Sequence, residues 1–552
     1  MKDYRVEMQS VGRLRRLLDN AIFAIPSLQR EFVWNGNKAA ALLDSIYRGM
    51  PIGTILIWDT EGKNQHLLRK TLHILPDYHS TNSRIWFLID GQQRLSVLYQ
   101  AGEGQTCKNS DGREIDFSRL TFNLMNGEGD NEAPVFRYRR PIEAQHVSVK
   151  DVLSPKWKYW FRGLPKYKLS QIEKCRNRLL KFKVPIQFIE TKDIDEVREL
   201  FIRINSLGTP IGSADRAFAR ASEFDIRSRA NEIRATLPKE FQSLPYEVIL
   251  QAFALVAGKE EFRDIGQRAY DAAIRHWENR VRKDESQKKV FYSLWGRLKT
   301  AIEKSIDFLH QNFCVWTAEL LPSENMVSTL SVFFFNSKGT QAWQKQELRK
   351  WFWATGVGQR YSGRGHRQNI LADAVFMKKL ASGRSRFSFS DRVDPAEVRR
   401  TEYNRRSSIA DSFSCLLLKR GPRYLSSGDA VPLSEYSSYA NRKHRHHIFP
   451  RALLARNGFG HKQYNSICNI CLIVAEENHE IGAKRPDNYL GEHCRKNYFH
   501  KFMKSHLIPH GQNSPIWNNR LKKAYAAFMR ERHKLICRAF EEEAGIKLFK
   551  KE

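Results

Sequence analysis

Two adjacent histidines near the carboxyl end, His446 and His447, stand beside the short apolar pair Ile448 and Phe449, and Pro450 stops that run. In an extended strand, neighbouring side chains point to opposite faces, so the two imidazoles cannot do the same job. One can face a metal while the other faces a water or a substrate. Downstream, Asn469 opens the apolar run Ile470 to Val474, and Ala475-Glu476-Glu477-Asn478 reads as a helix start with acidic residues in its first turn. Phosphodiester cleavage needs such a set. A neutral imidazole takes a proton from water near pH 7. A hard divalent ion bound by few protein ligands stabilises charge on the phosphate and on the departing oxygen. An amide holds the imidazole or its loop in position. Two plainer readings use the same residues. One is a surface cluster of His444, His446 and His447 in a basic loop. The other is a structural zinc site at Cys468 and Cys471 with His493 or Cys494, although only one C-x-x-C pair is present.

A second constellation lies near the front. The apolar stretch Arg84 to Ile89 runs into Asp90-Gly91-Gln92-Gln93-Arg94, and a helix pattern follows at once. A helix N-terminus directly after a glycine turn offers free backbone N–H groups and a positive dipole end, which together suit an anion. Gly91 lets the backbone approach closely. Arg94 can pair with a phosphate in a bidentate way. Gln92 and Gln93 can hydrogen-bond a sugar, a base or a water, and Asp90 can hold a metal or a hydroxyl. The plainer reading is a capped strand-to-helix turn with a surface arginine.

The elements that must position these groups are legible in outline. The rear set needs strand, connection, strand and helix. The front set needs a buried strand before Asp90 and a helix after it. Around them, Val11 to Asn20 and Lys38 to Arg48 have helical spacing, and Gly53 to Trp58 has strand composition. Ile194, Val197, Leu200, Phe201 and Ile204 fall on one helical face. From Ala221 to about Arg405 the pattern is mostly helical. Its aromatic run Trp351-Phe352-Trp353 is expected in a core rather than as a base-stacking platform. Arg360 to Arg367, basic and glycine-containing, suits either a DNA backbone or solvent.

Composition narrows the partners. Lys and Arg number 92 against 60 Asp and Glu, a formal net charge of +32, which points to a polyanion, and nucleic acid is the common one. A hydrophobic share of 41% across 552 residues fits several globular domains and excludes a disordered chain. Eight scattered cysteines fit a reducing compartment. No segment has the look of a signal peptide or a membrane span. The expectation is a soluble cytoplasmic protein with no membrane partner.

The front motifs, Ile25-Pro26-x-x-Gln29-Arg30-x-x-Val33-Trp34, Pro51-Ile52-Gly53-Thr54-Ile55, Asp90 to Arg94, and Phe201 to Gly208 with Arg203 and Asn205, resemble the N-terminal domain of GmrSD-type modification-dependent restriction enzymes. The resemblance implies a ParB/sulfiredoxin-like mixed α/β domain that binds, and in several members hydrolyses, nucleoside triphosphates and senses modified DNA. It assigns the nucleotide to Asp90, Gly91, Gln92, Gln93 and Arg94. DNA or modification sensing goes to Gln29, Arg30, Trp34, Pro51, Gly53, Arg203 and Asn205. The rear stretch is similar to the His-Me finger (HNH) endonucleases found at the C-terminus of the same enzymes. By that likeness His447 matches the general base, His446 and Asn478 the metal side, and Asn469 the middle asparagine, with Cys468 where the family has glycine. His479 is the neighbouring candidate one register away.

The implied whole is an α+β multidomain chain. Residues 1–220 form the ParB/sulfiredoxin-like domain, 221–405 a mainly helical middle, and 406–552 a ββα-metal nuclease domain. The implied cofactors are Mg2+ or Mn2+ and a nucleoside triphosphate, with GTP, ATP, UTP and CTP equally open. The implied substrate is double-stranded DNA, modified and of phage or foreign origin, in a bacterium or archaeon. A homodimer would pair two such sites, since one site cuts one strand. The alternative is a nucleotide-gated DNA-binding or NTPase sensor whose nuclease part is inactive or depends on a partner.

Overall fold

The structure is a computed structural model. It describes residues 4–26, 29, 32–61, 68–69, 74–78, 84–108, 114–124, 134–139, 145–191, 193–207, 212–221, 223–258, 265–389, 392–403, 407–435, 445–473 and 475–550. Contacts divide the chain into two compact units, Met1–Arg227 and Ser228–Glu552. Of the segments expected from the sequence, residues 228–405 of the helical middle and all of 406–552 fall in the second unit.

The front unit is built on a six-stranded mixed sheet. In chain order its strands are β1 (Tyr4–Ser10), β2 (Phe23–Pro26), β3 (Ile55–Glu61), β4 (Leu68–Arg69), β5 (Arg84–Asp90) and β6 (Lys183–Ile189). Across the sheet the order is β1-β6-β3-β5-β2-β4, with β6–β3 and β5–β2 parallel and the other pairs antiparallel. Strand β5 is apolar on both faces because both are covered. Leu88 and Ile57 belong to one core, with Leu14 and Leu18 of α1 (Val11–Asp19), Leu43 of α2 (Gly36–Tyr47), Leu95 of α3 (Gln92–Glu103) and Ile172 of α4 (Lys166–Lys181). Phe87 and Ile89 belong to the other core, with Val197 and Phe201 of α5 (Ile194–Leu207), the helical face that the spacing predicts. Each fully buried side chain of this size contributes roughly 1.5–3 kcal/mol. The end of β5, where the motif begins, is therefore held rigidly from both sides.

Among the described residues, the rear unit is helical apart from one antiparallel pair of strands, β7 (Arg445–His447) and β8 (Ile470–Leu472). Trp351, Phe352 and Trp353 are fully buried on α6 (Ala342–Val357), and Phe352 stacks on Phe313 at 3.9 Å and 8°. They are core, as expected. Arg360 forks onto Asp373 at 2.9 and 3.1 Å, and Tyr361 OH donates to the same carboxylate at 2.8 Å. The start of that basic loop is thus tied to the protein's interior. Among the described residues no helix is long and apolar enough to cross a membrane.

One buried histidine gives this unit a pH limit. His506 is fully buried, donates from Nε2 to Leu472 O at 2.7 Å, and burial pushes its pKa down to about 4. The unfolded chain takes up a proton on this residue near pH 6.5, and the folded chain does so only near pH 4. Its stabilising effect is therefore complete above pH 6.5 and is lost as pH falls toward 4, by up to about 3 kcal/mol. Thermal melts at pH 7.5 and pH 5 are expected to show a lower rear-unit transition at pH 5. In His506→Gln, which keeps a donor for Leu472 O, that difference shrinks.

Candidate functional site

In the front unit, three segments far apart in sequence meet at the end of β5. Gly91 adopts φ +94°, and a Cβ there would meet Ile55 Cγ1 at 3.0 Å, so glycine is what lets α3 start at Gln92. One turn into α3, Arg94 donates from Nη2 to Asp90 Oδ2 and from Nη1 to Ile52 O, both at 2.7 Å. Gly53, at φ +85°, leaves the space its guanidinium fills. Gln93 Oε1 accepts from the backbone N–H groups of Val33 at 2.9 Å and Trp34 at 3.3 Å. Gln29, buried, donates to Leu88 O at 3.0 Å and also bonds Ile89 O.

Gln29, Trp34, Gly53, Asp90, Gly91, Gln93 and Arg94 are thus brought together. Arg94 has its charge met by Asp90 instead of standing open to an incoming phosphate. What α3 still offers an anion is its uncapped first turn, since Gly91 provides no side-chain cap. Gln92 Oε1 is buried with no hydrogen-bond partner among the described residues. Pro51 is exposed beside this cluster in sequence, and Arg203 forms a surface pair with Glu199 at 2.6 Å on α5. Arg30 and the Asn205 side chain lie outside the described residues, as do His444 and the glycine of the Phe201 to Gly208 motif.

In the rear unit, the two histidines sit on β7 with separate neighbours. His446 is buried, its Nδ1 meets Asn478 Oδ1 on α7 (Ala475–Ile481), and its ring packs edge-on to Tyr489 at 6.2 Å. Its Nε2 is buried with no hydrogen-bond partner among the described residues. Burial pushes its pKa down to about 4, so the ring is neutral at pH 7. His447 is half-buried between Tyr403 at 5.3 Å and Tyr464 at 6.3 Å, and burial, with Arg451 nearby, lowers its pKa as well.

Among the described residues, the Asn469 side chain hydrogen-bonds neither imidazole. Fully buried, it accepts from Phe449 N at 2.9 Å and donates to Phe449 O and Tyr464 O at 3.0 Å, fixing the corner that follows β7. Tyr489 OH adds a bond to Ile448 O at 2.8 Å. An apolar stub at Asn469 would leave three backbone groups unmet, each costing about 1–3 kcal/mol when buried. His479 is on the same helix as Asn478, with no contact to β7 described.

Residues that the sequence reading missed complete the site. Asn465 Oδ1 lies 3.0 Å from His447 Nε2, and Asn465 Nδ2 lies 2.9 Å from His461 Nε2. His461 Nδ1 in turn lies 3.1 Å from Glu402 Oε2. One set of donors satisfies all three contacts. His461 donates to Glu402, Asn465 donates to His461, and His447 donates from Nε2 to Asn465. That assignment leaves the lone pair of His447 on Nδ1. Nothing in the spacing signals it, because Glu402 and His461 are 59 positions apart.

Cys468 and Cys471, the pair in the zinc reading, are both buried free thiols that burial pushes up to about 11 and about 12. His493 bonds Tyr498 OH at 3.1 Å, and Cys494 is exposed. Among the described residues no group of three or more His, Cys, Asp or Glu side chains is arranged to hold a metal ion.

Comparison with known proteins bears on the front unit most directly. Over 515 residues the chain is 22% identical to an uncharacterized protein of Methanocaldococcus jannaschii, spanning 85% of this chain and 84% of that protein. Residues 14–221 match the family described as GmrSD restriction endonuclease, N-terminal domain. Every front-unit motif residue named above lies inside that span, and the segment is similar to the N-terminal domain of the GmrSD restriction endonucleases.

Proposed function

We propose that this chain is a modification-dependent DNA endonuclease acting in defence against phage or foreign DNA. In this reading the rear unit hydrolyses phosphodiesters, and the front unit binds and hydrolyses a nucleoside triphosphate and senses the modification. The observation that carries it is the setting of His447: a neutral imidazole, held at Nε2 by Asn465, with Nδ1 left to accept a proton from water. His446, next to it on β7, and Asn478 would hold one hard divalent ion, Mg2+ or Mn2+, between the imidazole Nδ1 and the amide oxygen that face each other. When bound, such an ion supplies charge stabilisation for the phosphate and the departing oxygen.

The chain's own residues do the rest. Asn465 holds the tautomer, with His461 and Glu402 behind it. Asn469 and Tyr489 fix the backbone after the two histidines. The +32 excess draws the duplex in through a salt-dependent term. In the front unit, the uncapped start of α3 receives the phosphates, with Gln92 and Gln93 beside them. Asp90 and Arg94 keep that turn in shape, and Gln29 and Gly53 hold the segments around it.

The test is a cleavage panel with Mn2+ of DNAs identical except for modification: unmodified, glucosylated hydroxymethylcytosine and phosphorothioate, each with and without each nucleoside triphosphate. The expected outcome is cleavage of a modified DNA, sparing of the unmodified one, and a change in rate on adding one nucleotide. Tight DNA binding with no nicking under any metal would instead favour a nucleotide-gated DNA-binding protein.

A further inference from the structure

Between residues 154 and 172 the chain has no acidic residue and five basic ones, Lys156, Lys158, Arg162, Lys166 and Lys168. The stretch is anchored on the front-unit core. Phe161 is buried, and Trp157, Leu164 and Leu169 pack against that core. Gly163, at φ +91°, turns the chain between the short helix Trp157–Trp160 and α4. The anchoring leaves three large rings facing solvent: Tyr159 at 55%, Trp160 at 56% and Tyr167 at 62% exposure. Arg162 lies over the Tyr159 ring at 4.5 Å, Lys158 over Trp157 at 5.7 Å, and Trp160 meets Tyr159 edge-on at 5.6 Å. Among the described residues, Lys156, Lys158, Arg162 and Lys166 have no carboxylate partner.

Open rings on a firmly held surface gain by covering their faces, and cations without partners gain by meeting phosphates. A single strand of nucleic acid offers both, since its bases have free faces. A duplex offers phosphates but keeps its base faces stacked. An acidic protein would satisfy the charge but has no comparable supply of flat rings. We propose that residues 156–168 form a binding face for single-stranded nucleic acid. Unpaired bases stack on Tyr159, Trp160 and Tyr167, and Lys156, Lys158, Arg162 and Lys166 hold the backbone. Neither cleavage at His447 nor nucleotide binding at α3 requires this face, so it goes beyond the function proposed above.

Fluorescence anisotropy of the full chain in EDTA tests it, with a labelled oligothymidylate, a duplex of the same length, and phosphatidylglycerol vesicles as a third arm. The double variant Tyr159→Ala, Trp160→Ala is expected to weaken oligothymidylate binding about tenfold or more, while duplex binding changes by less than about twofold. The double variant Lys158→Gln, Lys166→Gln is expected to flatten the slope of log affinity against log salt by roughly 0.7 for each phosphate no longer neutralised. Unchanged single-strand binding, or an equal loss for single strand and duplex, would overturn the proposal. So would a loss confined to the vesicles, which would assign the face to an anionic membrane. A readout that needs no variant is photocross-linking with 4-thiothymidine in the oligonucleotide. Adducts at Tyr159, Trp160 or Tyr167 are expected, and adducts only outside 156–168 would overturn it. Because no divalent metal is present, failure here leaves the nuclease reading untouched.

Discussion

Replacing Arg532 by alanine is expected to lower the melting transition of the rear unit by roughly 10 °C, or to leave the chain insoluble. Arg532 is fully buried on α8 (Leu521–Ala544). Its guanidinium donates to four backbone carbonyls: Leu507 O at 3.2 Å, Cys468 O at 2.8 Å, Ile470 O at 2.5 Å and His506 O at 2.9 Å. Burial lowers its pKa to about 10, yet it stays charged at pH 7, and no carboxylate pairs with it among the described residues. The carbonyls take the place of water around the ion. Two of them flank Asn469, so this one side chain fixes the strand that in turn holds the corner after His447.

Truncation removes all four bonds and opens a cavity. Unmet buried carbonyls at about 1–3 kcal/mol each, less the relief of no longer burying a charge, give a net loss of roughly 3–5 kcal/mol. Arg532→Lys should recover only part of it, because an ammonium is a point donor and cannot span carbonyls on separate segments. Differential scanning fluorimetry and near-UV circular dichroism read the result. A melt of Arg532→Ala within about 2 °C of wild type would contradict this role.

How much of this was legible in the sequence follows the range of the interactions. The turn at Asp90 and Gly91 was readable because it is local: an apolar run, a glycine and a helix pattern stand in order. The partners of its side chains were not. Arg94 reads as an open anion ligand until Ile52, 42 positions away, is seen to accept its second bond. The two histidines read correctly as strand neighbours with different surroundings, since a period of two needs only adjacent positions. Asn465, His461 and Glu402 were invisible, because no period or spacing links a glutamate at 402 to an imidazole at 447. The burial of Cys468 and Cys471 was not legible either, because spacing carries no record of burial. Nothing in the sequence marks Arg532 as buried, for the same reason.

Removing the imidazole of His447 is expected to have the largest effect on activity. It is the half-buried imidazole of the pair, and its contact with Asn465 leaves Nδ1 to take a proton from water; a positioned general base contributes about 10²–10⁴-fold to rate. His447→Ala should fold, because the residue is only half-buried and its one described hydrogen bond is to the Asn465 side chain, which His461 still holds. The loss should therefore appear in the rate of strand cleavage and not in DNA affinity or in the melting temperature. The most direct measurement is single-turnover nicking of a modified phage DNA in Mn2+ by the wild-type chain and by His447→Ala at equal concentration. Nicking by the wild type with a rate at least about a hundredfold lower in the variant is the expected result. Equal nicking by both proteins would contradict the role given to His447.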